Sequence, residues 1–218
     1  MHLWEYISIS QRFASVEVSM SKPFWLLITI FLFASCTGTT PVISVSSQHN
    51  SELEAYAVYA TLINQMYVKD QADQIVIKDQ ASLDSFNDDE LEKIFQYVAH
   101  KLPTLQPATL SDFQAKNKQP HSLNESFNLS TKTVLIDKEE ENQLLYEGDG
   151  SWLAFYEKYP KSQGLLTLSR VGFNPEMNQA LVYAGNQSGP KTGAGYYVLL
   201  TKENGTWVIK GKYGAWIS

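Results

Sequence analysis

From Ser51 onward the apolar positions follow helical spacing first and strand spacing last. Leu53, Tyr56, Ala57, Ala60, Ile63 and Tyr67 recur at the helical period, and Leu62 and Met66 widen that face. Ser51 and Glu54 form a capping box, in which the hydroxyl accepts from a free amide and the carboxylate reaches back to the cap amide. This predicts a helix beginning at Ser51 and packing on a sheet. Ile75-Val76-Ile77 then centres a short buried strand over 74–78, too short and too β-branched for a helix. Asp88-Asp89-Glu90 opens a second helix with acids in its first turn, and Lys93, His100 and Lys101 lie toward its end. That charge order suits the helix dipole, and Pro103 stops the helix. Residues 103–130 hold Pro103, Pro107 and Pro120 among many polar residues and read as loop, with one helical turn near 111–116. Residues 131–137 read as a strand and Glu139-Glu140-Glu141 as a solvated turn. Ser151 caps a short helix over 152–159 that Pro160 ends.

The last part of the chain has the period of strands. Residues 164–173 form one, ending in the turn signal Asn174-Pro175, and 179–184 form another. Residues 195–202 and 206–217 complete the set, joined by a hairpin turn over Glu203-Asn204-Gly205 with Asn-Gly at its centre. Gly211 and Gly214 suggest a bulge or bend in the final strand. Four strands joined by short turns predict an antiparallel meander. Helices first and strands last predict an α+β domain, 51–218, with helices packed on that sheet. A helix lying across a curved antiparallel sheet resembles the cystatin and nuclear-transport-factor-2 groups of folds, a likeness that implies architecture and not activity.

Upstream of the domain the pattern changes. Residues 24–35 are almost wholly apolar and lead directly into Cys36, the chain's only cysteine. A dozen residues are too few to span a bilayer, which needs about 20. They fit the apolar core of a secretory signal of roughly 7–15 residues, with Lys22 as its basic flank. Met20 makes an ordinary start for such a signal, and residues 1–19 read as an upstream extension. Leu32-Phe33-Ala34-Ser35-Cys36 resembles the lipobox of bacterial lipoproteins. The resemblance implies cleavage before Cys36 and a diacylglyceryl thioether on that residue. It also implies that the domain stands outside the cytoplasm, held to a membrane of the bacterial cell envelope. Signal peptide 1–35, lipidated cysteine and tether 36–50, and domain 51–218 then divide the chain. Residues 37–50 are small, polar and Ser/Thr-rich, as a tether requires. Acyl chains contribute about 0.8 kcal/mol per buried CH₂, so several hold firmly where one does not.

Composition narrows the function. The net charge is −6 and 18% of residues are charged, so no basic nucleic-acid footprint exists. One cysteine allows no internal disulfide, and the domain must rest on its apolar core. The segment Gly185-Asn186-Gln187-Ser188-Gly189-Pro190-Lys191-Thr192 looks like a phosphate loop. It has three residues between its glycines where four are needed, and Pro190 removes an amide, so it reads as a hairpin loop. Lys191-Thr192-Gly193 matches one element of penicillin-recognising enzymes, but its partner motifs are missing from the domain. No Gly-x-Ser-x-Gly elbow occurs. His49, His100 and His121 stand at no metal-ligand spacing, and the acids around Glu147-Gly148-Asp149-Gly150 fall short of a calcium loop. The pattern therefore calls for no catalytic residue, no metal and no cofactor.

Arg170 is the sharpest candidate. It is the only arginine of the domain and lies in a predicted strand, on the face of Leu168 and Gly172. An arginine among apolar neighbours needs an acidic partner, with Asp79 or Asp84 in reach of the pattern. Alternatively it recognises a carboxylate or other anion in a pocket between helix and sheet, using its planar fork. Aromatics crowd the C-terminal half, and Trp152 and Tyr156 join Arg170 as candidate lining. The expected function is that of a non-catalytic envelope lipoprotein whose domain binds an envelope protein or cell-wall component. A small-ligand pocket using Arg170 and an enzyme with an unrecognised site are the alternatives.

Overall fold

The computed structural model describes residues 45–68, 72–83, 88–147 and 151–218, all within one unit that runs from Ile43 to Ser218. Helix α1 spans Val45–Met66 and leads into strands β1, Gln74–Lys78, and β2, Gln80–Ala81. Helices α2, Asp88–Lys101, and α3, Pro107–Lys116, follow, then β3, His121–Ser122, and β4, Lys132–Ile136. Helices α4, Lys138–Leu145, and α5, Trp152–Lys158, come next. The chain ends in β5, Ser162–Leu168, β6, Gly172–Phe173, β7, Gln179–Gly189, β8, Thr192–Glu203, and β9, Thr206–Ile217.

The class is α+β. The sheet is mixed and has seven strands in the order β4-β1-β5-β7-β8-β9, with β6 also paired to β7. Strand β1 runs parallel to both β4 and β5, and β5, β7, β8 and β9 pair antiparallel in turn. The strands at 74–78 and 131–137 form where the pattern predicts them. Their joining the C-terminal strands in one sheet is a long-range choice that local periodicity does not encode.

Both faces of this sheet are covered. Ala180, Val182 and Ala184 of β7 face α1, together with Ile75, Ile77, Leu166 and Leu168. The alternate residues Leu181 and Tyr183 face α2 and α3, against Phe95, Phe113 and Tyr197. Val76, Ile136 and Leu165 face Phe155 and Tyr159 at α5. Leu62, Val182 and Val198 are wholly buried, and a buried aliphatic side chain of this kind stabilises by about 1.5–3 kcal/mol.

Four local expectations need correction. Helix α1 begins at Val45, so Ser51 lies inside it and caps nothing. Glu54 instead reaches across to the sheet, accepting from Lys202 Nζ at 2.5 Å and Trp207 Nε1 at 2.8 Å. The buried residues of α1 are Tyr56, Val58, Tyr59, Leu62 and Ile63, with Tyr67 just beyond its end, while Leu53 is 56% exposed and Ala57 is exposed. The predicted face holds at Tyr56, Leu62, Ile63 and Tyr67 and is rotated toward Val58 and Tyr59, away from Leu53 and Ala57. Helix α3 starts at Pro107, since a proline in the first turn gives up only an amide without an intrahelical partner. The acidic run is helix α4, opened by Asp137, whose carboxylate accepts from Glu140 N at 2.8 Å. Glu141, expected in solvent, is buried between Lys78 and Lys138.

Other local expectations match the structure. Ser151 caps α5, accepting from Ala154 N at 3.3 Å. Asn204 and Gly205 turn the β8–β9 hairpin with φ of 50° and 83°, as a tight primed turn requires. The β8–β9 register shifts opposite both Gly211 and Gly214.

Two predictions follow from this packing. Burial opposes the charge of the Glu54 carboxyl, but the Lys202 and Trp207 donors outweigh it and hold its pKa below the ordinary value of 4.5. Its contribution is full above that ordinary value and is lost as pH falls through the lower folded value. Glu54→Gln therefore costs about 1–2 kcal/mol at neutral pH, and urea melts of the two proteins converge as the solution is acidified. The Tyr197 hydroxyl is buried with no hydrogen-bond partner among the described residues, and an unsatisfied buried donor costs about 1–3 kcal/mol. Tyr197→Phe should raise the urea midpoint, by about 1 kcal/mol in stability, with no change in far-UV circular dichroism.

Candidate functional site

Arg170 lies outside the strands, in the break between β5 and β6. At this break Ser169 keeps its place beside Tyr183, donating its amide to Tyr183 O at 2.9 Å. Its hydroxyl accepts from Tyr183 N at 2.8 Å, so side chain replaces backbone in the ladder. Residues 169–171 are thereby freed from strict alternation.

The end of α3 is strapped to this break. Asn117 donates from Nδ2 to Phe113 O at 2.8 Å and to Arg170 O at 3.0 Å, and its Oδ1 accepts from Arg170 N at 2.8 Å. The helix can come this close because Gly172 has no side chain. A Cβ there would sit 2.4 Å from that of Phe113. Phe173 N adds a bond to Asp112 Oδ2 at 2.7 Å. Arg170 Nη1 donates to Lys116 O at 3.2 Å, at the carbonyl end of α3 where a cation is favoured.

The guanidinium borders a cleft of about 350 Å³ between α1, the end of α3 and the 169–173 segment. Tyr56 and Tyr59 of α1 form the wall facing it, and Glu52, His121 and Phe173 complete it. Both tyrosines are held. Tyr59 Oη donates to Ser169 O at 2.8 Å, and Tyr56 Oη accepts from Asn124 N at 2.7 Å. Burial pushes the Tyr59 hydroxyl pKa well up, more than the nearby Arg170 charge lowers it, so it remains a neutral donor.

The charges in the cleft are not equivalent. Lys116 is engaged by Asp112 at 2.7 Å, donates to Val171 O at 3.3 Å and sits 5.1 Å from the centre of the Phe173 ring. Glu52 stands at the exposed rim and accepts from Asn124 Nδ2 at 3.3 Å. Arg170 has no carboxylate partner among the described residues, although a guanidinium carries five N–H donors. Asp79 borders a different cleft, and Asp84 lies outside the described residues.

The three candidate lining residues do not come together. Trp152 and Tyr156 lie on α5, their rings 6.0 Å apart, and pack around Phe155. Tyr156 Oη donates to Ser188 O at 3.0 Å and borders a separate depression with Tyr67 and Tyr196. Arg170 is joined instead by Tyr56 and Tyr59, which the sequence pattern marks only as helix-face residues. Cys36, the apolar segment before it and the first part of the tether lie outside the described residues. Among the described residues no helix is long and apolar enough to cross a membrane, and no group of three or more His, Cys, Asp or Glu stands ready for a metal ion.

Comparison with protein-family models, with curated protein sequences and with solved structures finds no match to this chain, and its own residues carry the functional reading.

Proposed function

We propose that this protein is a non-catalytic binding protein of the bacterial cell envelope, anchored through lipid on Cys36, whose α+β domain captures a small carboxylate ligand in the Arg170 cleft. One observation carries the ligand assignment: Arg170 borders a cleft and, among the described residues, pairs with no carboxylate, Glu52 standing at the rim without bonding to it. Its planar fork suits bidentate recognition of a carboxylate. Tyr56 and Tyr59 offer an aromatic wall for the ligand's carbon skeleton. Glu52 at the rim favours a ligand that also carries an ammonium or another donor, as an amino acid or a peptide end does.

A binding cleft is favoured over a broad apolar docking face. Among the described residues the large exposed apolar side chains are Leu53, Tyr97, Tyr146, Leu153 and Ile217, spread over α1, α2, the end of α4, α5 and the end of β9. In this reading β5, β7, β8 and β9 serve as a four-strand meander under α1, in the manner of the cystatin and nuclear-transport-factor-2 groups. Strands β1 and β4 are then additions to that plan. The anchor rests on the likeness of Leu32-Phe33-Ala34-Ser35-Cys36 to a lipobox.

Two experiments test the proposal. Calorimetric titration with succinate, glutamate and alanyl-alanine should give saturable binding for at least one. Arg170→Lys keeps the positive charge near α3 and removes the fork, so it should weaken that binding about tenfold with an unchanged melting curve. Equal affinity in the variant, or no heat from any of the three, refutes the carboxylate site. Separately, Cys36→Ser should move the protein from the membrane pellet to the soluble fraction of the native host. Continued sedimentation with membranes would refute the lipid anchor.

A further inference from the structure

A second cleft opens on the sheet face away from α1, between the first turn of α4, the end of β1 with the residues that follow it, and the end of β9. It has a volume of about 760 Å³, within the roughly 300–1,000 Å³ of small-molecule sites. Thr167 of β5 and Tyr183, Gly185 and Gln187 of β7 line its floor. These are alternate residues that point away from α1.

Trp216 forms one wall, and its position is fixed. Its indole Nε1–H donates to Tyr183 Oη at 2.6 Å. The ring rests on a bed of glycines from two neighbouring strands. A Cβ at Gly195 would stand 2.2 Å from Trp216 Nε1, one at Gly193 3.0 Å from Cη2 and Cζ3, and one at Gly185 3.4 Å from Cζ2. The indole therefore lies against bare backbone, and its remaining surface borders the cleft. An aromatic ring held in this way is a stacking platform that needs no ordering when a ligand arrives.

The opposite side is polar. Lys78 and Lys138 both pair with the buried Glu141, at 2.8 and 3.2 Å. Asp79 borders the same space, its carboxyl pKa raised by burial and by Asp137 nearby. A purely apolar ligand would strip water from these groups without replacing it, and a polyanion would face Asp79. The matching ligand has one apolar face for the indole and a rim of groups that both donate and accept. A pyranose ring has both.

We propose that this cleft is a carbohydrate site, in which a sugar ring stacks on Trp216 while its hydroxyls bond to Asp79, Thr167 and Gln187. It shares no lining residue with the Arg170 cleft, and either assignment can fail without the other.

The test follows the indole N–H resonance of Trp216 in the full-length protein, assigned by its disappearance in Trp216→Phe. The probes are maltotriose, cellotriose and triacetylchitotriose at millimolar concentration, with adenosine as a planar ligand that is not a saccharide. At least one trisaccharide should shift this resonance and the Gln187 side-chain amide saturably. Trp216→Ala should weaken that binding about tenfold or more. If this variant does not fold, Gln187→Ala supplies the comparison, weakening the same binding while leaving the free Trp216 resonance in place. No shift with any trisaccharide overturns the proposal. So does a shift with adenosine alone, unchanged affinity in a folded Trp216→Ala, or unchanged affinity in Gln187→Ala where that variant stands in for it.

Discussion

The sheet must be covered on both faces, and the remaining architecture answers that requirement. Residues 179–185 of β7 are buried without interruption, and Ile75, Val76 and Ile77 of β1 are buried on alternate faces. A strand of this kind cannot leave one side to water. Helix α1 covers one face from β1 to β9. The other face is divided between α2 with α3 and α5 with the end of α4. Both clefts lie where this covering is incomplete, one beside the end of α3 and one on the divided face.

Apolar burial places the helices, and a few polar clamps set their register. Glu54 pins α1 to β8 and β9 through Lys202 and Trp207. Gln179 does the same for the start of α3, accepting from Gln106 N at 2.7 Å and Thr109 Oγ1 at 2.9 Å while donating to Thr104 O. Asn117 fastens the other end of that helix to Arg170. Such buried, directional contacts are satisfied in only one arrangement. The walls of the Arg170 cleft consequently keep their spacing without a ligand.

The legible parts of the fold were those fixed within a few residues. The Asn204-Gly205 turn, the Ser151 cap and the strand at 74–78 depend on local chemistry, and their patterns stated it. Local rules place the start of α1 at Ser51 because Ser51 and Glu54 fit a capping box, whereas Glu54 is taken by a distant pair, Lys202 and Trp207. Helix α4 is hard to read from the pattern because three successive acids look like a solvated turn. The sequence does contain Asp137 as a cap and acids where a helix N-terminus favours them. Arg170 was recognisable as an arginine in apolar company. The tyrosines facing it were not, since their distance from it in the chain is closed only by packing α1 on the sheet. Trp152 and Tyr156 suggested themselves as aromatics and proved to pack with each other.

The choice of side chain at position 170 has a physical logic. The chain holds 17 lysines and arginines, of which two are arginine, and Arg170 alone lies in the domain. Positive charge at the end of α3 does not require a guanidinium, because Lys116 is already there and is held by Asp112. A lysine at 170 could meet the Lys116 carbonyl, but its ammonium would present a single rotating charge to whatever lay beyond. The guanidinium satisfies that carbonyl with one N–H and retains a rigid fork of further donors. A fork is useful only against a planar acceptor pair at a set angle, and the Asn117 strap fixes the backbone from which it projects. In the proposed reading, a residue type used once in the domain, in a segment released from the sheet, presents this fork to the ligand.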